Sequence, residues 1–140
     1  MYSDGIVDLK RTIFLFLALL FASAALSIFF LAIGITDLQK VSVEISNLQQ
    51  NTPLLLGYLL IVRVAVEEFF FRGFLTKKIG ALYSSIAFAI LHVGYGSIAE
   101  IAGAFVLGFI LAKAFEKNKT LLPNIFAHML YNLSALLLIG

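Results

Sequence analysis

The sequence contains no cysteine, which removes disulfides, thiolate nucleophiles and cysteine-based metal sites together. It is also short of charge: only 13% of its 140 residues are Asp, Glu, Lys or Arg, where a soluble domain carries about a quarter. The formal net charge of +2 is spread over scattered basic residues, so no nucleic-acid partner is expected. The apolar runs lack the alternation of a membrane barrel. There is no internal repeat of the kind common in transporters, no low-complexity tract and no HExxH motif. Polar chemistry is left to Glu, Asp, His, Asn, Ser, Thr, Tyr, Lys and Arg.

Against these absences stand 61% hydrophobic residues and a mean hydropathy of +1.03. Five apolar stretches follow one another: 12–34, 53–75, 79–95, 97–115 and 121–139. A helix needs about 20 residues to cross the hydrocarbon, with about 17 as the lower limit. The expected fold is all-α, a polytopic bundle of about five transmembrane helices in the lipid bilayer. Residues 1–52 read as an anchor helix and an outer loop, and 53–140 as the helix core of one domain. The first stretch has basic residues before it and FASAA within it, like a signal sequence. Its apolar run continues through SIFFLAIG, too long for a signal h-region, so an uncleaved anchor is expected. Lys10, Arg11, Lys77, Lys78, Lys113, Lys117 and Lys119 fall on one side of these crossings, and only Lys40 on the other. That asymmetry predicts a cytoplasmic N-terminus.

Two minor features belong to packing. Leu38, Val41, Ile45 and Leu48 have helical spacing in the loop 35–52, which predicts an amphipathic turn or two on the outer surface. Ala104, Gly108 and Ala112 form a small-residue stripe that lets another helix approach closely.

The second stretch contains VEEFFFRGF, with Arg63 just upstream. A charged side chain at mid-helix costs about 2.5–3.5 kcal/mol on insertion scales, so Arg63, Glu67, Glu68 and Arg72 facing lipid would cost about 10 kcal/mol. They must face protein or water, and pair. Arg63 with Glu67 and Glu68 with Arg72 are each four apart, the spacing of an intrahelical ion pair. Such pairs alone need carry no chemistry. Alternatively, Glu67 faces a polar cavity and serves as a general base.

Both histidines, His92 and His128, lie in apolar stretches, and Asn132 follows His128 by one turn. Each could be a helix–helix hydrogen bond. Together, however, two glutamates, two histidines and an asparagine on three segments point to one shared cavity. Counted from the nearest cytoplasmic lysine at 1.5 Å per residue, Glu67 lies about 15 Å deep, His128 about 13 Å and His92 about 21 Å. For His92 to join the others, its segment must start lower, tilt, or begin after an elbow at KKIGALYS.

A carboxylate and an imidazole can hold and deprotonate a water, while a second imidazole and a carboxamide can donate to an oxyanion. The expected roles are Glu67 as base, His92 as its partner on the water, and His128 with Asn132 as oxyanion donors. Glu68 and Arg72 form a supporting pair. This chemistry requires no cofactor. The alternative is a zinc ion held by Glu67, His92 and His128 with a water in the fourth position.

EEFFFR matches EExxxR, Phe88 to His92 matches FxxxH, and His128 to Asn132 matches HxxxN. In that order on successive helices they resemble the CPBP family: type II CAAX prenyl endopeptidases and bacteriocin-processing or immunity proteins, also called the Abi domain. The resemblance covers about residues 50–140, with one unmatched helix between the second and third motifs. It implies an intramembrane endopeptidase, often described as a metalloprotease, whose cavity opens to the cytoplasmic side. Its substrate would be a peptide or protein that is prenylated or membrane-associated. Only one helix precedes the motif core, so a minimal prokaryotic-type member is expected, acting also on unprenylated peptides. A non-catalytic immunity or regulatory protein of the same fold is the alternative, and a proton carrier fits less well.

Overall fold

The computed structural model describes residues 8–139, leaving 1–7 and Gly140 of the sequence-based domain division outside the described residues. It is helical throughout, with no strand among the described residues. Helix α1, Leu9–Ala32, starts where the Asp8 side chain accepts from the Arg11 amide, and Gly34, at φ 79°, follows its end. Helix α2, Leu38–Asn51, realises the amphipathic spacing over 14 residues, more than the turn or two expected. The next rod, α3, runs through residues 53–76 from a proline at its first position. Helix α4 is Lys77–Ile90, α5 Ile98–Asn118 and α6 Leu122–Ile139.

The rod carrying the two glutamates is not a regular α-helix. Leu59–Arg63 and Glu68–Thr76 are wound as π-helix on either side of Val64–Glu67. Such widened turns place a backbone carbonyl opposite the fifth residue onward and recur at functional sites. Side chains reinforce the π-wound segment: the Phe71 carbonyl accepts from the Thr76 hydroxyl at 2.8 Å and from the Ser84 hydroxyl at 2.8 Å. Ser84 thereby ties α4 to α3.

Between them lies the elbow. Gly80 has φ 80° and ψ 170°, a left-side conformation that side-chain-bearing residues disfavour. The ascending helix therefore begins at Ala81, whose amide donates to Glu116 Oε1 of α5 at 3.0 Å. Counted from there, His92 lies about 16 Å along, which brings it level with Glu67 and His128. The third apolar stretch is thus shorter than 79–95. The helix ends at Ile90, and His92 sits in the turn before a single 3₁₀ turn, Val93–Tyr95.

The small-residue stripe works as expected and does more. Ala104, Gly108 and Ala112 are all buried, and a Cβ on Gly108 would meet Phe88 Cδ1 at 3.0 Å. Phe88, Ala89, Phe71 and Ala104 form one core cluster where α3, α4 and α5 meet. A second, Leu15, Leu19, Leu111 and Ala127, joins α1, α5 and α6. Tyr131 donates to Ser23 at 3.0 Å and pins α6 to α1.

The outside of the molecule is apolar, with Leu54 90%, Phe21 79% and Leu138 84% exposed. Helices α1 and α5 are long and apolar enough to cross a membrane, and Leu122–Leu138 is a shorter apolar helix.

Candidate active site

Glu67, His92, His128 and Asn132, drawn from α3, the turn after α4, and α6, border one cavity of about 400 Å³. Arg63, Tyr95 and Glu100 also line it, together with many apolar side chains, among them Leu38, Val41, Ile45 and Leu48 of α2. The amphipathic helix, which the sequence placed on the outer surface without chemistry, thus forms part of the cavity wall.

The two adjacent glutamates part company. Glu67 borders the cavity, and its Oε1 accepts from Arg63 Nε at 2.7 Å. The Arg63 Nη1 in turn donates to the Tyr95 hydroxyl at 3.3 Å. Glu68 is fully buried behind the wall. It meets Arg72 Nη1 at 3.2 Å and accepts from His128 Nδ1 at 2.9 Å and from Asn124 Nδ2 at 3.4 Å. Both four-apart ion pairs expected from the sequence therefore form.

Arg72 is buried as deeply as its partner. Its Nη2 donates to the Gly108 carbonyl at 3.4 Å, and Nε and Nη1 have no hydrogen-bond partner. Its guanidinium lies 4.4 Å from the centre of the Phe88 ring, a cation–π contact that contributes about 2 kcal/mol when desolvated. Phe88 also packs on the rings of Phe71, His92 and His128, at 5.1, 4.7 and 6.1 Å. The supporting residue of the FxxxH motif is thus the common platform beneath both histidines.

Hydrogen bonds orient the imidazoles. His92 Nδ1 is 2.9 Å from the Phe88 carbonyl. A carbonyl only accepts, so Nδ1 carries the proton and Nε2 keeps its lone pair. His128 Nδ1 likewise donates to the Glu68 carboxylate.

Zinc is the alternative reading of the same side chains. Glu67, His92 and His128 share the cavity, yet among the described residues no three His, Asp or Glu side chains are grouped to hold one metal ion. The Nδ1 bonds to the Phe88 carbonyl and the Glu68 carboxylate leave Nε2 of each imidazole and the second oxygen of Glu67 free, which is also the way metal-ligating histidines are held.

Two residues went unnoticed in the sequence. Asn124 precedes His128 by four, so Asn124, His128 and Asn132 form a single stripe on α6. Its Nδ2 also donates to the Leu111 carbonyl at 2.8 Å, closing the buried cluster. Glu100 ends a Ser–x–x–Glu pattern typical of a helix start, and it also lines the cavity.

With this geometry in hand, the comparisons agree. Residues 49–134 match the family model of type II CAAX prenyl endopeptidase Rce1-like proteins. A search of curated proteins and a search of solved structures each give no match. The matched region holds all three motifs and covers more than half of the chain, which therefore belongs to the type II CAAX prenyl endopeptidase Rce1-like family of membrane-embedded proteins.

Proposed function

We propose that this chain is a multi-pass intramembrane endopeptidase that hydrolyses a peptide bond with an activated water. The observation that carries this reading is the shared cavity of Glu67, His92, His128 and Asn132. Glu67 has one carboxylate oxygen engaged by Arg63. The other takes a proton from water. His92 holds the same water through the Nε2 lone pair that its bond to Phe88 leaves available. The hydroxide formed attacks the substrate carbonyl, and the oxyanion accepts from the Asn132 carboxamide and from Nε2 of a protonated His128. The proton held by Glu67 then passes to the leaving amine. Atoms balance with water as the only co-reactant.

Buried behind the wall, Glu68, Arg72, Asn124 and Phe88 hold His128 and His92 in place. No step is routed through a metal, and no cofactor is required. The substrate is a peptide or protein at the membrane, and the apolar side chains that α2 contributes to the cavity accommodate its apolar part, prenylated or not. The cytoplasmic opening rests on the family resemblance alone, since by lysine count α2 and Tyr95, which line the cavity, lie on the opposite side.

The test is cleavage of prenylated and unprenylated peptides by detergent-purified protein, with metal content measured alongside. Glu67→Gln should remain folded and lose cleavage. Full biological effect in both Glu67→Ala and His92→Ala would instead establish a non-catalytic membrane protein.

A further inference from the structure

Setting aside the histidines, of which His128 is bonded to the carboxylate of Glu68 behind the wall, three charged side chains border the cavity: Arg63, Glu67 and Glu100. Arg63 is bonded to Glu67, so one positive and one negative charge cancel. Glu100 is left over. Among the described residues its carboxylate makes no hydrogen bond and no ion pair, although Arg63 and His92 lie close enough to interact with its charge.

Glu100 lies in the first turn of α5. Ser97 accepts from the Glu100 amide at 3.0 Å, the first half of a capping box. In the second half, the glutamate would fold back onto the Ser97 amide. Glu100 makes no such bond here; Asp37 accepts from the neighbouring Ile98 and Ala99 amides and the Ser97 hydroxyl. Glu100 borders the cavity instead.

We infer that Glu100 is a recognition residue that binds a cationic group of the substrate, an ammonium or guanidinium next to the bond to be cut. This rests on the proteolytic reading and adds the substrate's chemical class. An unmatched carboxylate in a semi-enclosed apolar cavity is costly until it meets a cation or takes a proton. The same face of α5 continues into the cavity with Gly103, Ala104 and Leu107, three, four and seven positions on. A Cβ added at Gly103 would meet nothing within 4 Å. That open, apolar track suits the methylene stem of a lysine or arginine whose head reaches Glu100.

The test uses fluorescent, acetylated Leu-Ala-Arg-Ala-Leu amide, its uncharged citrulline isostere, its glutamate counterpart, and the citrulline peptide with a free N-terminus. Binding to the full chain in detergent, with chelator present, is read by anisotropy, and cleavage by mass spectrometry. Wild type should bind the arginine or free-amine peptide at least about tenfold tighter than acetylated citrulline, the scale of one charge-assisted hydrogen bond. Which of the two wins identifies the source of the cation. Glu100→Gln should abolish the preference, and Glu100→Lys should turn it toward glutamate. Equal affinities, no binding, or a preference that survives in Glu100→Gln would overturn the assignment. A Glu100-dependent preference without any cleavage would uphold it while defeating the proteolytic reading.

Discussion

His128 Nδ1 donates to Glu68 Oε1 across 2.9 Å, joining residues 60 positions apart. This bond fixes what the second glutamate of EExxxR does. Glu67 has a face on the cavity, whereas Glu68 has none and anchors a histidine and an arginine from within. Two identical neighbours thus differ in kind, because adjacent helical positions point about 100° apart.

The two glutamates should respond differently to the same isosteric change. Glu68→Gln leaves Arg72 as a buried charge without its counter-ion, a loss of about 3–5 kcal/mol. Glu67 is buried, but its partner Arg63 is 34% exposed and also bonded to Tyr95, so Glu67→Gln should cost less than Glu68→Gln. Thermal unfolding in detergent checks this: a large drop in Tm for Glu68→Gln, a smaller one for Glu67→Gln. Equal drops would contradict the division of labour.

Gly108→Ala places a methyl group 3.0 Å from Phe88 Cδ1 and 3.5 Å from Arg72 Nη2. The helix gains about 1 kcal/mol of propensity, but overpacking here costs about 1–3 kcal/mol. Phe88 must give way, and both histidine rings rest on it. Activity should therefore fall further than stability, by at least about tenfold with a small change in Tm. Ring-current shifts at His92 would report the displacement directly.

The clasp between α2 and α5 should be acid-sensitive. Partial desolvation works against the Asp37 charge, but the Ile98 amide, the Ser97 hydroxyl, the Ala99 amide and nearby Lys40 outweigh it and hold the carboxyl below its usual range. Lys40 also donates to the Gly96 carbonyl at 3.0 Å. With the folded value below the unfolded one of about 3.9, the contribution is complete above the unfolded value. It is lost as pH falls through the folded one. Hydrogen exchange of the Ile98 and Ala99 amides should accelerate, relative to intrinsic rates, below about pH 4. In Asp37→Asn that added acceleration should be absent, with protection already reduced at neutral pH.

How much of this was legible in the sequence depended on whether the signal was local. Four-apart spacing announced both ion pairs, and polar groups in apolar helices pointed to one cavity shared by Glu67, Glu68, His92, His128 and Asn132, of which Glu68 lies behind its wall. The mismatch in the depth of His92 pointed to an elbow at KKIGALYS, and Gly80 supplies it. The π-wound turns flanking Val64–Glu67 left no sequence signature, because winding is settled by partners such as Ser84, thirteen residues from the carbonyl it satisfies. Glu100 went unnoticed because it stands in the first turn of α5, where an acidic residue also suits a helix start, and no local pattern places it on the cavity. The burial of Asn124 likewise depends on Leu111 and Glu68, which no local pattern connects.

The oxyanion donors offer the sharpest kinetic test of the water-activated route. Asn132 borders the cavity and belongs to no buried ion pair, so Asn132→Leu should fold normally. Removing one oxyanion donor costs about 10²–10³ in kcat. Because the donor acts on charge that develops only in the transition state, KM should change little. Asn132→Asp presents a carboxylate to a developing negative charge and should be worse than leucine at pH 7. Chelator treatment of wild type should leave kcat unchanged, since the proposed water is held by Glu67 and His92 alone. A chelator-sensitive wild type whose Asn132→Leu variant loses KM rather than kcat would mean that the carboxamide binds ground-state substrate and that the water is activated some other way.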